Sequence, residues 1–301
     1  MTLAGSPALD TAARPPVRGG RRLSLNWLGV TPFFAYVGLF LLLPTVLLAV
    51  GAFGDKHGNL TAANVTAIGQ PYLLKTFVGS TVISLISALV GAIGGALLAY
   101  AVATGNPRGV LRRIVTSAAG VFAQFGGVTL VFAFLATIGP VGLVRVFLKD
   151  RGFDIFPNGV WLYEPSGLTL IYTYFQIPLM VLVFLPALDG IRPQWREATE
   201  SLGGSTWHYW RYVAGPLLAP AFLGCTLLLF ANAFSAYATA AVLITQGGVL
   251  VPLQISALFT SETGQAQPGL AKALALSMVV IVSIVTVLYA LLQRRTSRWL
   301  R

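Results

Sequence analysis

The sequence predicts an all-α integral membrane protein with about six transmembrane helices. Of its 301 residues, 56 % are hydrophobic and only 10 % charged, where soluble domains carry about 25 % charged residues. Apolar runs of about 20 residues, enough to cross a ~30 Å hydrocarbon core, recur along the chain. The basic residues gather at the ends of those runs. In a soluble protein a net charge of +11 would suggest nucleic acid; placed at span ends, it serves orientation in a bilayer.

Taken in order, residues 1–26 are rich in Pro, Gly, Ala and Arg (Arg14, Arg18, Arg21, Arg22). They read as a disordered cytoplasmic tail. The apolar stretch that follows is too long for a signal-peptide core and lacks a small-residue cleavage site. Span 1 is expected at 28–52, kinked at Pro44, and 54–75 is a polar loop. Span 2, at 76–103, carries Gly91 and Gly95 in a stripe of small residues that lets another helix approach closely. A short basic turn, 104–113, leads to span 3 at 114–138, interrupted by Gly126 and Gly127. The connection 139–167 holds a short amphipathic helix at 141–149 and surface aromatics Trp161 and Tyr163. Span 4 is expected at 168–188, span 5 at 217–244 and span 6 at 269–292. Between spans 5 and 6, the partly apolar 249–259 either re-enters the membrane or extends a span. The transmembrane domain is thus 27–294, with a cytoplasmic C-terminal tail at 295–301.

Six spans place both termini on one side. Fourteen of the twenty Lys and Arg residues fall on that side: four in the N-terminal tail, three at 104–113, three at 189–215 and four at the C-terminus. The other side holds Lys56, Lys75, Arg145, Lys149, Arg151 and Lys272. The positive-inside rule then puts the termini and the 189–215 loop in the cytoplasm.

Several chemistries find no residues. No G-x-x-x-x-G-K-[ST] phosphate loop is present. His57 and His208 stand far apart without a Cys or carboxylate cluster, so no metal site is expected. Cys225 lies in an apolar run, as a small buried hydrophobe does. All nine acids, Asp10, Asp55, Asp150, Asp154, Glu164, Asp189, Glu197, Glu200 and Glu262, fall in loops or tails. Ion-coupled transporters usually need an ionisable group or a discontinuous helix inside the membrane, so an ATP-independent secondary transporter or channel is the weaker alternative. Within the spans the polar and aromatic residues Gln124, Tyr172, Tyr174, Gln176, Asn232, Ser235 and Tyr237 are candidates for a translocation pathway. Each is about twice as often a helix–helix hydrogen bond as a solute contact.

The stretch 194–220 stands apart, being charged, aromatic and glycine-hinged between two apolar runs. Pro193 suits the first turn of a helix. Trp195, Ala198, Thr199 and Leu202 follow at helical spacing, with Arg196, Glu197 and Glu200 on the other face. Gly203 and Gly204 stop that helix. A second short helix is expected at 205–213, with Pro216 opening the next apolar run. Such a hairpin either lies in the membrane interface with its aromatics at headgroup level or docks a soluble partner.

A family resemblance favours docking. Glu197-Ala198-Thr199, three residues, Gly203, nine residues and Val213-Ala214-Gly215-Pro216 resemble the EAA loop of binding-protein-dependent ABC importer permeases, E-A-A, three residues, G, nine residues, I-x-L-P. The chain departs from the pattern with Thr199 for Ala, Gly204 where Ala is usual, and Gly215 for Leu.

The resemblance implies a type I ABC importer fold with its core at 75–294, in the inner membrane of a bacterium. The chain would be a transport subunit without an ATP site of its own, ATP and magnesium being bound by a partner ATPase. Further implied partners are a second permease subunit, identical or homologous, and an extracytoplasmic solute-binding protein. Trp195, Glu197, Ala198, Thr199, Gly203 and Pro216 would form the ATPase-coupling element. The chain looks more similar to the spermidine/putrescine, thiamine, ferric-iron and phosphonate permeases than to the sugar permeases, and a polyamine is the first expectation for the cargo.

Overall fold

The computed structural model describes residues 26–54, 59–106, 108–157, 159–244, 250–260 and 267–297, with side-chain detail from Val30 to Leu291. The N-terminal tail, Asp55, Lys56, His57, Glu262 and the last arginines, Arg298 and Arg301, lie outside the described residues. The chain divides into two units, 1–46 and 47–301. The helices are α1 (Asn26–Val37), α2 (Leu43–Ala52), α3 (Ala63–Thr66), α4 (Pro71–Ala103), α5 (Val110–Gln124), α6 (Gly127–Ile138) and α7 (Leu143–Lys149). They continue with α8 (Pro165–Asp189), α9 (Pro193–Ser201), α10 (Thr206–Tyr209), α11 (Gly215–Phe234), α12 (Ala238–Leu243), α13 (Val251–Thr260) and α14 (Pro268–Ser297).

In the first unit, α1 passes into α2 through a π turn, Gly38–Leu42. Pro44 follows two residues later. Its ring would clash with the carbonyl four residues back and its missing N–H breaks the ladder; a widened turn absorbs both effects.

Among the described residues, six stretches are long and apolar enough to cross a membrane: Val30–Ala52, Pro71–Ala103, Gly127–Lys149, Pro165–Asp189, Thr206–Phe234 and Pro268–Leu291. Two depart from the sequence expectation. The third begins at Gly127 and not at 114, because α5 carries Arg112, Arg113 and Thr116 on one face and stops at Gln124. The fifth begins at Thr206 and ends at Phe234, ten residues short of the expected 244. Helix α13, ten residues long, is too short to cross.

The second unit is built on α4 against α8. Ser84, Ser87, Ala88, Gly91, Ala92, Gly95 and Ala99 form the buried stripe of α4. A β-carbon on Gly91 would stand 2.6 Å from the Gln176 β-carbon, and one on Gly95 would stand 2.6 Å from the Ile177 carbonyl oxygen. The glycines are therefore a packing seam, with the backbones as close as the side chains allow. One core cluster gathers the α6, α12 and α13 side chains around Leu168, Ile171, Tyr172 and Phe175. Another gathers the α4 alanines and α11 side chains around Met180, Val181, Phe184 and Leu188. Gln176 lies between them on α8, its Nε2 donating to Ser87 Oγ at 2.9 Å. The start of α13 is tied to α4, where the Val251 N–H donates to the buried Ser80 hydroxyl at 2.8 Å.

Ion pairs fasten the two ends of this unit. Arg112, at the start of α5, pairs with Asp189 at the end of α8, so the 104–113 turn and the 189–215 hairpin share one end. At the other, Arg145 Nε donates to Asp154 at 3.1 Å and Arg145 also lies over the Phe156 ring. The Arg145 hydrogen bond, helped by the Phe156 N–H, holds the Asp154 carboxyl below its usual value. A depressed carboxylate stabilises the fold above its unfolded pKa, near 3.9, and loses that contribution as pH falls through the folded value. Protection of the 140–157 amides, taken relative to their intrinsic exchange at each pH, is therefore expected to stay flat from pH 7 to 5 and to fall only below about pH 4; the Asp154→Asn chain is expected to lack that step.

Candidate coupling hairpin and membrane pathway

Pro193 sits at the start of α9, where an absent N–H costs nothing. The helix ends in a paired closure: the Gly204 N–H donates to the Thr199 carbonyl at 2.9 Å and the Gly203 N–H to that of Glu200 at 3.0 Å. That pattern needs a left-handed residue at the first position after the cap, and Gly203 has φ +76°. The expected apolar face splits in two. Trp195 and Thr199 are half-buried where the second arm folds back, whereas Ala198 and Leu202 face outward, with Leu202 88 % exposed. Arg196 pairs with Glu200 at 2.9 Å. Glu197 is exposed, and its carboxylate has no partner among the described residues.

Two of the departures from the family pattern fit each other. A β-carbon on Gly204 would lie 2.7 Å from the Thr199 γ-methyl and 2.9 Å from its carbonyl oxygen. The extra methyl at 199 thus takes the space an alanine at 204 would use. Gly204→Ala is expected to cost the hairpin about 1–3 kcal/mol, the usual cost of overpacking. Adding Thr199→Ala should recover at least ~0.5 kcal/mol of it, a coupling of the size seen between touching residues. Recovery stays partial because the carbonyl contact remains. Thermal melts of the four chains of the cycle measure both quantities.

The second arm is not the separate helix expected at 205–213. Ser205 opens it, its hydroxyl 2.8 Å from His208 Nδ1, and α10 runs through a π turn, Trp210–Ala214, directly into α11. Pro216 again follows a π turn by two residues. A β-carbon on Gly215 would collide with the Trp210 carbonyl, which is why glycine stands where the family pattern has leucine. Trp207 and Tyr212 are each 69 % exposed.

Deeper in the unit, two helices are broken side by side. One break, Phe125–Gly126, separates α5 from α6, and Gly127 opens α6 at φ +66°. The other, 235–237, separates α11 from α12. They meet where a β-carbon on Gly127 would stand 3.6 Å from that of Ala238. The Tyr172 hydroxyl donates to the Ala236 carbonyl at 2.7 Å, and the Tyr237 hydroxyl lies 3.1 Å from that of Ser256 on α13.

The pathway candidates therefore separate. Tyr172 and Gln176 are buried helix–helix hydrogen bonds, and the Gln176 Oε1 has no partner among the described residues. Tyr174 is half-buried between Phe122 and Phe134, one ring on each side of the first break. Gln124 is exposed at that break, and Asn232, Ser235 and Tyr237 are exposed along the second. Ser80, Ser87 and Ser256, which hold these elements, were not singled out in the sequence. Ser80 and Ser87 carry the signal of the small-residue stripe; nothing local marks Ser256.

Comparison with known proteins fits this geometry. The profile of the family described as "Binding-protein-dependent transport system inner membrane component" matches residues 129–298, more than half of the chain. The chain belongs to that family. Among relatives, this permease is 28 % identical over 153 residues to the thiamine transport system permease protein ThiP of Escherichia coli (strain K12), covering 50 % of this chain and 27 % of that protein. It is 26 % identical over 288 residues to the sulfate transport system permease protein CysW of Synechococcus elongatus, covering 92 % and 91 %. The permease spans about a quarter of the thiamine protein's length and nearly all of the sulfate protein's. A solved structure, a bacterial alginate ABC transporter in complex with an alginate pentasaccharide-bound periplasmic protein, superposes with a TM-score of 0.71 at 18 % identity, over 90 % of this chain and 94 % of that one. The fold is that of an ABC importer permease.

Proposed function

We propose that this permease forms part of the translocation pathway of an ATP-driven importer and is driven through the hairpin 193–204. The observation that carries the reading is the closed turn at Gly203, beside which Glu197, Ala198 and Leu202 stand exposed, with no side-chain partner for the Glu197 carboxylate among the described residues. A nucleotide-binding subunit, carrying ATP and magnesium, would seat on that surface. Glu197 would pair with it or cap one of its helices, and Trp195, Thr199 and Gly203 would keep the docking helix in shape. A second permease subunit would complete the pathway, and a solute-binding protein would deliver cargo at the opposite end, where Arg145 and Asp154 brace the connection. The Arg112–Asp189 pair and the basic count support placing the hairpin and both termini in the cytoplasm, with the chain in the inner membrane.

For the cargo we infer a small solute. The relatives are named for thiamine, ferric iron, sulfate and molybdenum transport, so thiamine- and iron-type relatives agree with the sequence expectation. A polyamine rests only on the sequence, which places no Lys or Arg between Arg211 and Lys272.

Purification of the tagged chain from its host in mild detergent, followed by mass spectrometry and an ATPase assay, tests the reading. A copurifying P-loop ATPase that is lost in Glu197→Ala and Gly203→Asp supports it. A folded chain that brings down no ATPase in several mild detergents overturns it in favour of ATP-independent transport.

A further inference from the structure

A break in a membrane helix frees carbonyls that water cannot satisfy, so each needs a donor from the protein. In the 235–237 turn the Ala236 carbonyl finds one 64 residues away, in the Tyr172 hydroxyl at 2.7 Å. Tyr172 is 1 % exposed, packed against Phe175 with ring centroids 5.7 Å apart and held in the core cluster of α8. It reaches the turn from behind. On the front of the same turn stand Ser235, Tyr237 and, one helical turn earlier, Asn232, all exposed. The Ser235 hydroxyl is already engaged by its own helix, donating to the Ala231 carbonyl at 2.9 Å. No glycine or proline lies between Asn232 and Leu243, so the local sequence gives the chain no reason to stop being helical there. In a continuous helix the donor to Ala236 would be the N–H four residues on, that of Ala240.

We propose that Tyr172 is the positioning residue of the solute-facing turn: its hydroxyl takes the place of the Ala240 N–H, holds the α11–α12 break open and thereby presents Tyr237 to the pathway together with Asn232 and Ser235, which α11 itself positions. Without it, α11 heals into α12: Ser235, whose N–H already donates to the Ala231 carbonyl at 3.2 Å, keeps its place, while Tyr237, two residues further at about 100° each, turns away from its present face. The inference rests on the importer reading for what the turn faces, but not for the bond that shapes it.

The test uses the full chain in its own membrane vesicles, in a Cys225→Ala background with Tyr237→Cys as reporter. The probe is a positively charged methanethiosulfonate reagent, which reacts only with thiols that water reaches. With Tyr172 intact, the reporter is expected to label. In the Tyr172→Phe chain, loss of one buried hydrogen bond is expected to slow labelling about 10-fold. Amide exchange of 238–240, measured on the purified chain without the reporter, is expected to slow in parallel as those groups enter a continuous ladder. Phe175→Leu, which loosens the same packing without touching the bond, is expected to leave both unchanged. Equal labelling and equal exchange with and without the hydroxyl overturn the proposal, as does an equal effect from Phe175→Leu. A reporter that never labels, even with Tyr172 in place, overturns instead the aqueous pathway along this turn and with it the solute-facing role, whatever the exchange shows.

Discussion

Leucine in place of Gly95 is expected to leave almost no folded protein. The α4–α8 seam is closest there: even a single β-carbon would stand 2.6 Å from the Ile177 carbonyl oxygen and collide with the Met180 β-carbon. Neither neighbour is the loose end of a side chain, so the backbones themselves must part. Parting them also uncovers the alanines on either side, Ala88, Ala92 and Ala99, all fully buried. Overpacking ordinarily costs ~1–3 kcal/mol; with the seam opened as well, more than about 4 kcal/mol is expected, at the far end of what single substitutions do. Gly94 supplies the control. A β-carbon there meets the Ile177 side chain at 3.4 Å, an ordinary contact, and alanine is the better helix former by about 1 kcal/mol. Gly94→Ala should therefore melt at or above the parent temperature, while Gly95→Leu should elute as aggregate. Comparable melting of the two chains would mean that the seam is not where the fold is decided.

The second large effect is expected at the hairpin, in two substitutions that separate shape from contact. Gly203→Asp adds a side chain to open space, since nothing lies within 4 Å of its would-be β-carbon. Its cost is backbone strain at positive φ alone, about 1–2 kcal/mol. That shifts the closed turn against its opened forms roughly 5- to 30-fold, enough to disorder the docking surface without preventing membrane insertion. Glu197→Ala removes a carboxylate that bonds nothing among the described residues, so melting is expected to stay unchanged. Both are expected to reduce uptake and solute-stimulated ATPase by more than about 10-fold, the loss of one well-made charged contact to a partner. Only the first should also alter exchange in 193–215. Full activity in both chains would remove the hairpin from the coupling mechanism.

How far the sequence carries depends on whether the cause of a feature is local. Gly203 was legible because a left-handed cap is a property of one residue, and the Gly126–Gly127 interruption was legible because glycine weakens a helix wherever it stands. The break at 235–237 was not, and the expected span ran on to 244. That stretch is rich in alanine, and what opens it comes from Tyr172 on another helix. Periodicity could place Tyr172 and Gln176 inside a span but could not name their partners, Ala236 and Ser87. Pro216 misled in the opposite direction. It reads as a boundary, yet the helix passes through it because a wider turn one step earlier has made room. The exposure of Leu202 was hidden for a similar reason: helical spacing groups it with Trp195, but only the fold-back of the second arm decides which of the group is covered.

The wider turn at Trp210–Ala214 also sets phase. A π turn holds one residue more than the α turn it replaces, so everything beyond it is rotated by about 100° relative to the hairpin, at 3.6 residues per turn. From Thr206 to Phe234 the helix runs for 29 residues, about 43 Å at 1.5 Å per residue. It carries the hairpin at one end and the Ser235 turn at the other. Pro220, inside it, removes one rung of the ladder but adds no residue to the count. The one surplus residue beside Pro216 therefore sets the angular offset between the proposed docking hairpin and the proposed solute-facing turn.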